Sequence, residues 1–186
     1  MSAEPILRLE NVSKRFADFV ALSEIDLEIQ EGEFLTIVGP SGSGKTTLIR
    51  ILVGIEELTE GKIWLRNARI EQLPANRRPT CMVFQSLALF PHRSVGENIE
   101  FPLKLRKQDP KRRRARANEL LDLLHLPQSF YEKRIQECSG GERQRVALAR
   151  ALAFDPEIIF FDEPLSALDF RLRKDLEKEL KDLHQR

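Results

Sequence analysis

One eight-residue segment constrains the fold of this chain more than any other. It matches the pattern G-x-x-x-x-G-K-[ST] and consists of Gly39, Pro40, Ser41, Gly42, Ser43, Gly44, Lys45 and Thr46. An apolar run at residues 34–38 precedes it, and residues 47–52 have the pattern of a helix that ends at Gly54. A strand, a glycine-rich loop and a helix in this order are typical of phosphate-binding loops. An ordinary glycine-rich turn is the alternative, which this context disfavours.

The residue types of the segment suit a phosphate ligand. Its glycines let consecutive N–H groups curl round a phosphate, and the start of the following helix adds positive partial charge. The Lys45 ammonium would reach the β- and γ-phosphates of a nucleotide, and the Thr46 hydroxyl would bind Mg²⁺. We therefore expect a phosphate site at residues 39–47, with Thr47 as its last member.

Charge, apolar runs and cysteines exclude several classes of protein. Among 186 residues, 30 Lys and Arg against 29 Asp and Glu give a net charge of +1, which argues against binding nucleic acid through bulk charge. No uninterrupted apolar run exceeds four residues, far below the roughly 18 needed to cross a bilayer. Cys81 and Cys138 lie far apart, and the first six residues lack the features of a signal peptide. We therefore expect a reducing compartment and no disulfide scaffold.

Strand patterns of two kinds predict the fold class. One kind alternates apolar and charged side chains, as half-exposed antiparallel strands do, and comprises residues 6–10, 25–29 and 62–65. The other is apolar at nearly every position, which favours parallel strands covered on both faces, and comprises residues 34–38, 81–84 and 158–161. Three buried strands with helices between them predict an α/β fold with a doubly wound core.

The middle of the chain predicts a helical insertion into this core. Residues 104–116 contain eight basic side chains and one acid, Asp109, and a helical pattern runs from Pro110 to Pro127. The basic run has two interpretations: a solvated helix face, or a patch that meets acidic groups of a membrane subunit or lipid headgroups. Residues 168–183 carry leucines along one stripe, which predicts a further amphipathic helix.

Two adjacent carboxylates, Asp162 and Glu163, follow the apolar run at residues 158–161. They lie at the carboxyl edge of the predicted sheet, where sheets of this kind bind their ligands. Asp162 is suited to hold Mg²⁺, and Glu163 is suited to act as the general base that deprotonates an attacking water. The alternative is a polar loop start in which Pro164 ends the strand.

A second candidate anion site begins at residues 138–142. Ser139 and Glu142 are spaced as a capping box, which predicts the start of a helix that ends near residue 155. Gly140 and Gly141 leave the N–H groups of this helix start open to an anion. Because one chain cannot easily fold both anion sites onto the same phosphate group, we infer that this site serves a nucleotide held by another subunit.

In this order the motifs resemble those of the ATP-binding subunit of an ABC transporter, from about Leu7 to the end of the chain. Residues 39–46 are similar to the Walker A motif, and residues 138–142 to the signature L-S-G-G-Q. Asp162 corresponds to the end of the Walker B strand, Glu163 to the catalytic glutamate, and residues 166–169 to the D-loop.

Two further site residues follow from the resemblance alone. Gln85 is at the place of the Q-loop glutamine, which implies contact with Mg²⁺ and a position beside the membrane subunit. Phe16 is at the place of the aromatic side chain that stacks on adenine. Core packing is the alternative for Phe16, with Phe19 nearby.

The resemblance implies a P-loop NTPase (RecA-like) core with an N-terminal antiparallel β subdomain and an inserted α-helical subdomain. We expect the core at residues 1–92 and 155–186, and the helical subdomain, which includes the signature, at residues 93–154. The implied catalytic residues are Glu163, Lys45 and Gln85, and the implied Mg²⁺ ligands are Thr46, Gln85 and Asp162. ATP would be bound by Phe16 and residues 39–47, and the ATP of a partner subunit by Ser139, Gly140, Gly141 and Glu142.

The implied function is ATP hydrolysis that energises solute import. The implied partners are a second copy of the chain, transmembrane permease subunits and, indirectly, a solute-binding protein, at the cytoplasmic face of a membrane and without nucleic acid. Residues 85–99 resemble importers of the polyamine, iron(III), sulfate and sugar group, so a polyamine-like solute is our leading hypothesis. The alternatives are a soluble ABC-type ATPase that acts on nucleic acid or ribosomes, and a small P-loop kinase.

Two departures from the family pattern have physical consequences. The signature has Cys138 in place of Leu and Glu142 in place of Gln. A carboxylate near a triphosphate is unfavourable unless a cation such as Arg143 or Arg145 offsets it. The chain also ends before the strand that would carry the family's switch histidine, so we expect a truncated cassette that binds ATP and hydrolyses it poorly.

Overall fold

The computed structural model describes residues 4–162, which form two compact units at residues 4–78 and 79–162. Each unit has its own sheet and its own helical segments. Glu163, the predicted D-loop at residues 166–169 and the amphipathic helix predicted for residues 168–183 lie outside the described residues.

An antiparallel sheet of four strands forms the first unit, in the order β2-β1-β3-β4. The strands are β1 (Leu7–Phe16), β2 (Phe19–Ile29), β3 (Glu60–Leu65) and β4 (Ala68–Arg69). Leu9 pairs with Leu27 on one side and with Ile63 on the other, and both Leu9 and Ile63 are buried. The three alternating segments predicted as antiparallel strands are therefore confirmed.

The phosphate-loop helix, α1 (Lys45–Leu52), is the helix of the first unit, and its far end is held by an arginine. Arg78 is 3% exposed and donates to the carbonyls of Ile51 at 2.6 Å and Leu52 at 3.2 Å. Its other bonds go to the carbonyls of Leu73 at 2.8 Å and Glu71 at 2.9 Å. The last carbonyls of a helix have no partner within the helix, so a buried cation at this end both bonds them and complements the helix dipole.

The prediction of a buried strand at residues 34–38 is wrong. These residues belong to no strand in the described part of the chain, and Val38 is 85% exposed. An apolar composition favours burial, but a strand also needs a neighbour that takes its N–H and C=O groups. Such pairing depends on residues far away in the sequence, which the composition of the run does not determine.

A parallel pair of strands forms the sheet of the second unit. β5 (Thr80–Val83) and β6 (Ile158–Phe161) run side by side, with Cys81 opposite Ile159. Two of the three predicted strands are thus confirmed as parallel strands, of which β5 is buried as expected whereas β6 is only partly buried. Burial raises the pKa of the Cys81 thiol to about 12, and both Cys81 and Cys138 are free, buried thiols.

Three α-helices complete the second unit: α2 (Val95–Leu105), α3 (Pro110–Leu123) and α4 (Gly140–Leu152). Ser139 forms the capping box that its sequence predicts. Ser94 forms a second capping box, and Asp109 accepts hydrogen bonds from the N–H groups of Lys111 and Arg112. The apolar faces of the three helices pack together through fully buried side chains, among them Val95, Ile99, Leu103, Ala117, Leu120, Leu121, Val146 and Ala149.

The basic run at residues 104–116 divides into two groups. Arg113 pairs with Glu100 at 3.2 Å, Arg114 lies 3.3 Å from the centre of the Tyr131 ring, and Arg116 pairs with Asp155. These arginines hold α3 against its neighbours. The other five basic side chains are exposed, lie from the end of α2 to the start of α3, and belong to Lys104, Arg106, Lys107, Lys111 and Arg112. Of these, Arg106 lies 3.9 Å from the centre of the Phe154 ring.

Among the described residues, no helix is both long enough and apolar enough to cross a bilayer.

Removal of the Arg78 side chain should destabilise the first unit. We expect Arg78→Leu to lower the free energy of unfolding by about 2–4 kcal/mol, because several buried carbonyls lose their charged donor. Urea denaturation measures this change. The neighbouring Arg77 is exposed, so Arg77→Leu is the matched control and should stay within about 0.5 kcal/mol of the wild type. Equal effects of both substitutions would contradict this account.

Candidate functional site

The phosphate loop has the backbone that its sequence predicts. Gly44 is the residue before α1 and has φ 87°, in the left-handed region that favours glycine. A Cβ atom at this position would lie 2.6 Å from the carbonyl oxygen of Ala21 in β2. Glycine is therefore required both by the backbone conformation and by the close approach of β2. No side chain caps the helix start that follows.

The Lys45 ammonium lies over the loop. It donates to the carbonyls of Gly39 and Pro40, each at 2.8 Å, and to the Ser43 hydroxyl at 3.3 Å. These bonds hold a positive charge beside the N–H groups of the helix start. The loop combines a cation, a glycine-rich backbone and the positive end of a helix, which is the chemistry that binds phosphate.

Phe16 ends β1 and pairs with Phe19, the first residue of β2. Phe16 is 43% exposed and Phe19 is 61% exposed, so neither ring is buried in the core of the first unit. The Lys14 ammonium lies 4.6 Å from the centre of the Phe16 ring. An exposed ring in this place is able to stack on a planar ligand.

Gln85 and Asp162 follow the two strands at the same edge of the β5–β6 pair. Val83 is opposite Phe161 in this pair, so the residues that follow the two strands leave the sheet side by side. The Asp162 N–H donates to the Val83 carbonyl at 3.1 Å, and the Gln85 side chain is exposed. A carboxylate and an amide thus share the carboxyl edge of two parallel strands, where ligands of such sheets bind.

The signature segment starts α4 as a capping box, as predicted. The Ser139 hydroxyl accepts from the Glu142 N–H at 3.3 Å, and the Glu142 carboxylate accepts from the Ser139 N–H at 2.8 Å. A Cβ atom at Gly140 would have nothing within 4 Å, so the space above this helix start is open to a ligand.

The sequence suggested Arg143 or Arg145 as the cation that offsets the charge of Glu142. In the structure Lys133 is the cation that pairs with it. The Lys133 Nζ lies 3.1 Å from Oε2 of Glu142. The Ser139 N–H and this ammonium lower the pKa of the Glu142 carboxyl, which therefore stays ionised at neutral pH.

The predicted residues fall in both units. The first unit contains Phe16 and the phosphate loop, and the second contains Gln85, Asp162 and the signature residues Ser139, Gly140, Gly141 and Glu142.

Comparison with known proteins identifies the family. The sequence profile described as "ABC transporter" matches residues 22–166. The chain belongs to the ABC transporter family. The P-loop NTPase fold predicted from the motifs is confirmed by two solved structures of members of this family. Each covers 96% of the chain, and both are dimeric structures of the cassette MJ0796, one of them in a post-hydrolysis state bound to ADP and Pi. Their TM-scores are 0.80 and 0.82, at 35% and 36% identity, over 82% and 83% of those chains.

Curated relatives in the ABC family are importer subunits by name. The spermidine/putrescine import ATP-binding proteins PotA of Roseobacter denitrificans and Thermotoga maritima are 51% and 49% identical over 95% and 96% of the chain. A probable sulfate/thiosulfate import ATP-binding protein CysA of Chlorella vulgaris is 46% identical over 96% of the chain and 75% of its own length. The chain spans 48% of the length of each PotA relative.

Sequence reasoning missed two side chains that shape the loop after Gln85, at residues 85–90. Arg150, near the end of α4, donates to the carbonyls of Leu87 and Ala88, each at 2.7 Å. Leu87 and Ala88 both have positive φ, at 60° and 46°, a conformation that costs free energy in residues other than glycine. Burial lowers the pKa of the Arg150 guanidinium, which these carbonyls solvate in place of water. Arg150 thus stabilises a strained loop directly after Gln85.

Asn98 of α2 anchors the other end of the same loop. It is fully buried, accepts from the Phe90 N–H at 2.8 Å, and donates to the carbonyls of Phe90 at 3.2 Å and Ser94 at 2.8 Å. The sequence alone does not indicate this role, since an Asn four residues after an N-cap serine can serve many structural roles.

Loss of the Arg150 contacts should loosen the loop at residues 85–90. We expect Arg150→Met to lower the free energy of unfolding by about 2–3 kcal/mol, because two carbonyls lose a charged donor. Amide hydrogen exchange should rise at residues 85–90, whose strained conformation these bonds hold.

The exposed Arg143 on the same helix provides the control. Arg143→Met should leave both the free energy of unfolding and the exchange at residues 85–90 unchanged. Unaltered exchange in Arg150→Met would refute the anchoring role.

Proposed function

We propose that this chain is the ATP-binding and ATP-hydrolysing subunit of an ABC importer. The observation that carries the proposal is the phosphate loop, with Gly44 at φ 87°, an uncapped helix start and the Lys45 ammonium over the loop. Its membership of the ABC family, and the import names of relatives 46–51% identical to it, support importer function.

The triphosphate of ATP would be bound by residues 39–47. The N–H groups of the loop and of the first turn of α1 donate to phosphate oxygens, and Lys45 exchanges its loop carbonyls for the β- and γ-phosphates. The need for glycine at position 44 supports this binding mode, since any larger residue would push the loop off β2.

Mg²⁺ would be held by Thr46, Gln85 and Asp162. A hydroxyl, an amide and a carboxylate offer the oxygen ligands that this ion prefers, and it commonly keeps waters and takes only one or two carboxylates. Among the described residues there is no cluster of three or more His, Cys, Asp or Glu side chains, and the proposed set does not require one. When bound, the ion neutralises charge on the β- and γ-phosphate oxygens.

The chemical step would depend on three side chains. Glu163 orients and deprotonates the attacking water, and Lys45 stabilises the charge on the transferring phosphoryl group. Gln85, at the edge of the sheet beside Asp162, would bring the Q-loop to the reacting phosphate. Positioned charge supplies most of the catalysis in reactions of this class.

Adenine would stack on Phe16. The exposure of this ring and of Phe19 beside it favours stacking over the alternative of core packing. A stacked base is worth about 1–3 kcal/mol of binding free energy.

The working assembly would be a head-to-tail homodimer in which the signature of one copy meets the nucleotide in the phosphate loop of the other. The open helix start at Gly140 and the dimeric structures of related cassettes support this arrangement. The dimer would dock on permease subunits at the cytoplasmic face of a membrane, and a solute-binding protein would deliver the solute. The helical subdomain at residues 93–154 and the core at residues 1–92 and 155–186 are part of this proposal.

A polyamine is the solute class that we propose. The similarity of residues 85–99 to importers of the polyamine, iron(III), sulfate and sugar group supports it, as do two relatives named for spermidine and putrescine import.

Replacement of the proposed general base should separate binding from turnover. We expect Glu163→Gln to retain ATP binding and to lower the rate of phosphate release about 10²- to 10⁴-fold, the usual contribution of a general base. Glu28 is exposed on β2, and Glu28→Gln is the control that should keep the wild-type rate. Near-normal turnover of Glu163→Gln would rule out this assignment.

Removal of the loop cation should weaken nucleotide binding directly. We expect Lys45→Ala to raise the dissociation constant for ATP about 10- to 100-fold, because a charged hydrogen-bond donor to phosphate is lost. Calorimetric titration with Mg²⁺-ATP measures this, and Lys104→Ala, at an exposed position, should bind as the wild type does. Equal affinity of the two variants would disprove the role of Lys45.

A further inference from the structure

The signature of this chain places a negative charge where the proposed function needs a positive environment. Glu142 lies in the first turn of α4, whose N–H groups would donate to phosphates of a nucleotide held by a second copy. A carboxylate within several ångströms of a triphosphate repels it, and this repulsion is strong where water is excluded between two protein surfaces. ATP-dependent association therefore requires that this charge be offset.

Two contacts hold the Glu142 carboxylate at the helix start. Its Oε2 atom accepts from the Ser139 N–H at 2.8 Å and lies 3.1 Å from the Lys133 Nζ. Both side chains of the Lys133–Glu142 pair keep only 24% exposure, so solvent screens this pair less than a surface pair. Within residues 4–162, Lys133 is the one cation that pairs with Glu142.

The Lys133 ammonium is delivered by a fixed backbone. The Lys133 carbonyl accepts from the N–H of Val95, the first residue of α2, at 2.9 Å, and the Lys133 N–H donates to the Phe130 carbonyl at 2.9 Å. The ammonium also lies 3.8 Å from the centre of the Phe130 ring. Because its backbone and stem are held, the charge stays beside Glu142 without a large loss of side-chain entropy.

We propose that Lys133 is a positioning residue of the signature, which holds the Glu142 carboxylate against Ser139 and cancels its charge so that α4 accepts the nucleotide of a second copy. This inference rests on the proposed function. It assigns to the pair a role in ATP-dependent dimer formation, and none in the binding of ATP by the phosphate loop of a single copy.

The competing role for Lys133 is simple packing on Phe130. Packing depends on the aliphatic stem, whereas charge compensation depends on the ammonium and on the presence of the Glu142 carboxylate. Lys133→Met keeps most of the stem and removes the charge. In a Glu142→Gln background no carboxylate remains to be offset, so the two roles predict different results.

The test measures ATP-dependent self-association in chains that also carry Glu163→Gln, by sedimentation with Mg²⁺-ATP. We expect Lys133→Met to raise the dimer dissociation constant about tenfold, while the ATP affinity of the dilute monomer stays unchanged. Lys133→Arg should associate as the parent does. The control is Lys111→Met, an exposed position on α3, which should also match the parent.

Addition of Glu142→Gln should rescue Lys133→Met to within about threefold of Glu142→Gln alone. The defect of Lys133→Met should also shrink as salt is raised from about 0.1 M to 1 M, because salt screens the uncompensated carboxylate. Failure of Glu142→Gln to rescue, or a defect that salt does not change, would overturn the inference in favour of packing. Absence of ATP binding by the parent would instead overturn the proposed function, and this inference with it.

Discussion

The close approach of the phosphate loop to β2 is the constraint on which the candidate site depends. The backbone at Gly44 adopts φ 87° directly under the Ala21 carbonyl, where a Cβ atom would be 2.6 Å from that oxygen. The helix start is thereby fixed against β2, and no side chain caps it. At the other end of α1, Arg78 bonds the last carbonyls of the same helix. The helix that would bind phosphate is thus held at both ends. At its start the absence of a side chain at Gly44 lets the backbone pack against β2, and at its end the buried Arg78 bonds the last carbonyls.

Local charge, and not net charge, matches the chemistry of an anion-binding protein. The net charge is only +1, but Lys45 lies over the phosphate loop and Lys133 offsets the charge of Glu142 in the signature. Part of the basic run at residues 104–116 serves structure, since Arg113 and Arg116 pair with acids of the same unit. Cations that hold helices together and cations that would meet phosphate are therefore distinct sets.

Local signals made much of this structure predictable. The phosphate loop, the capping boxes at Ser94 and Ser139 and the proline-started helix α3 depend on residues within a few positions of one another, and the family follows from the order of the motifs. The parallel strands β5 and β6 were predictable because their apolar runs are short, contain no interrupting polar residue and are followed by polar residues.

Features that depend on distant partners were not predictable. The run at residues 34–38 has the composition of a buried strand, yet a strand exists only where another strand pairs with it. Arg78 bonds helix carbonyls 26 and 27 residues away, and Arg150 bonds loop carbonyls 62 and 63 residues away. Lys133 pairs with Glu142 across 9 residues, and nothing in an isolated Arg or Lys indicates such a contact. The Glu142 substitution signalled that a cation was needed, but only the fold selects Lys133 over the nearer Arg143.

Amide hydrogen exchange of the Glu163→Gln chain, with and without Mg²⁺-ATP, tests the central claim most directly. The claim is that two anion sites, in two different copies, meet the same nucleotide. It predicts that ATP protects residues 39–47 at every protein concentration, and protects residues 139–142 only when the concentration allows two copies to associate. Protection of residues 39–47 with unchanged exchange at residues 139–142 under associating conditions would contradict it.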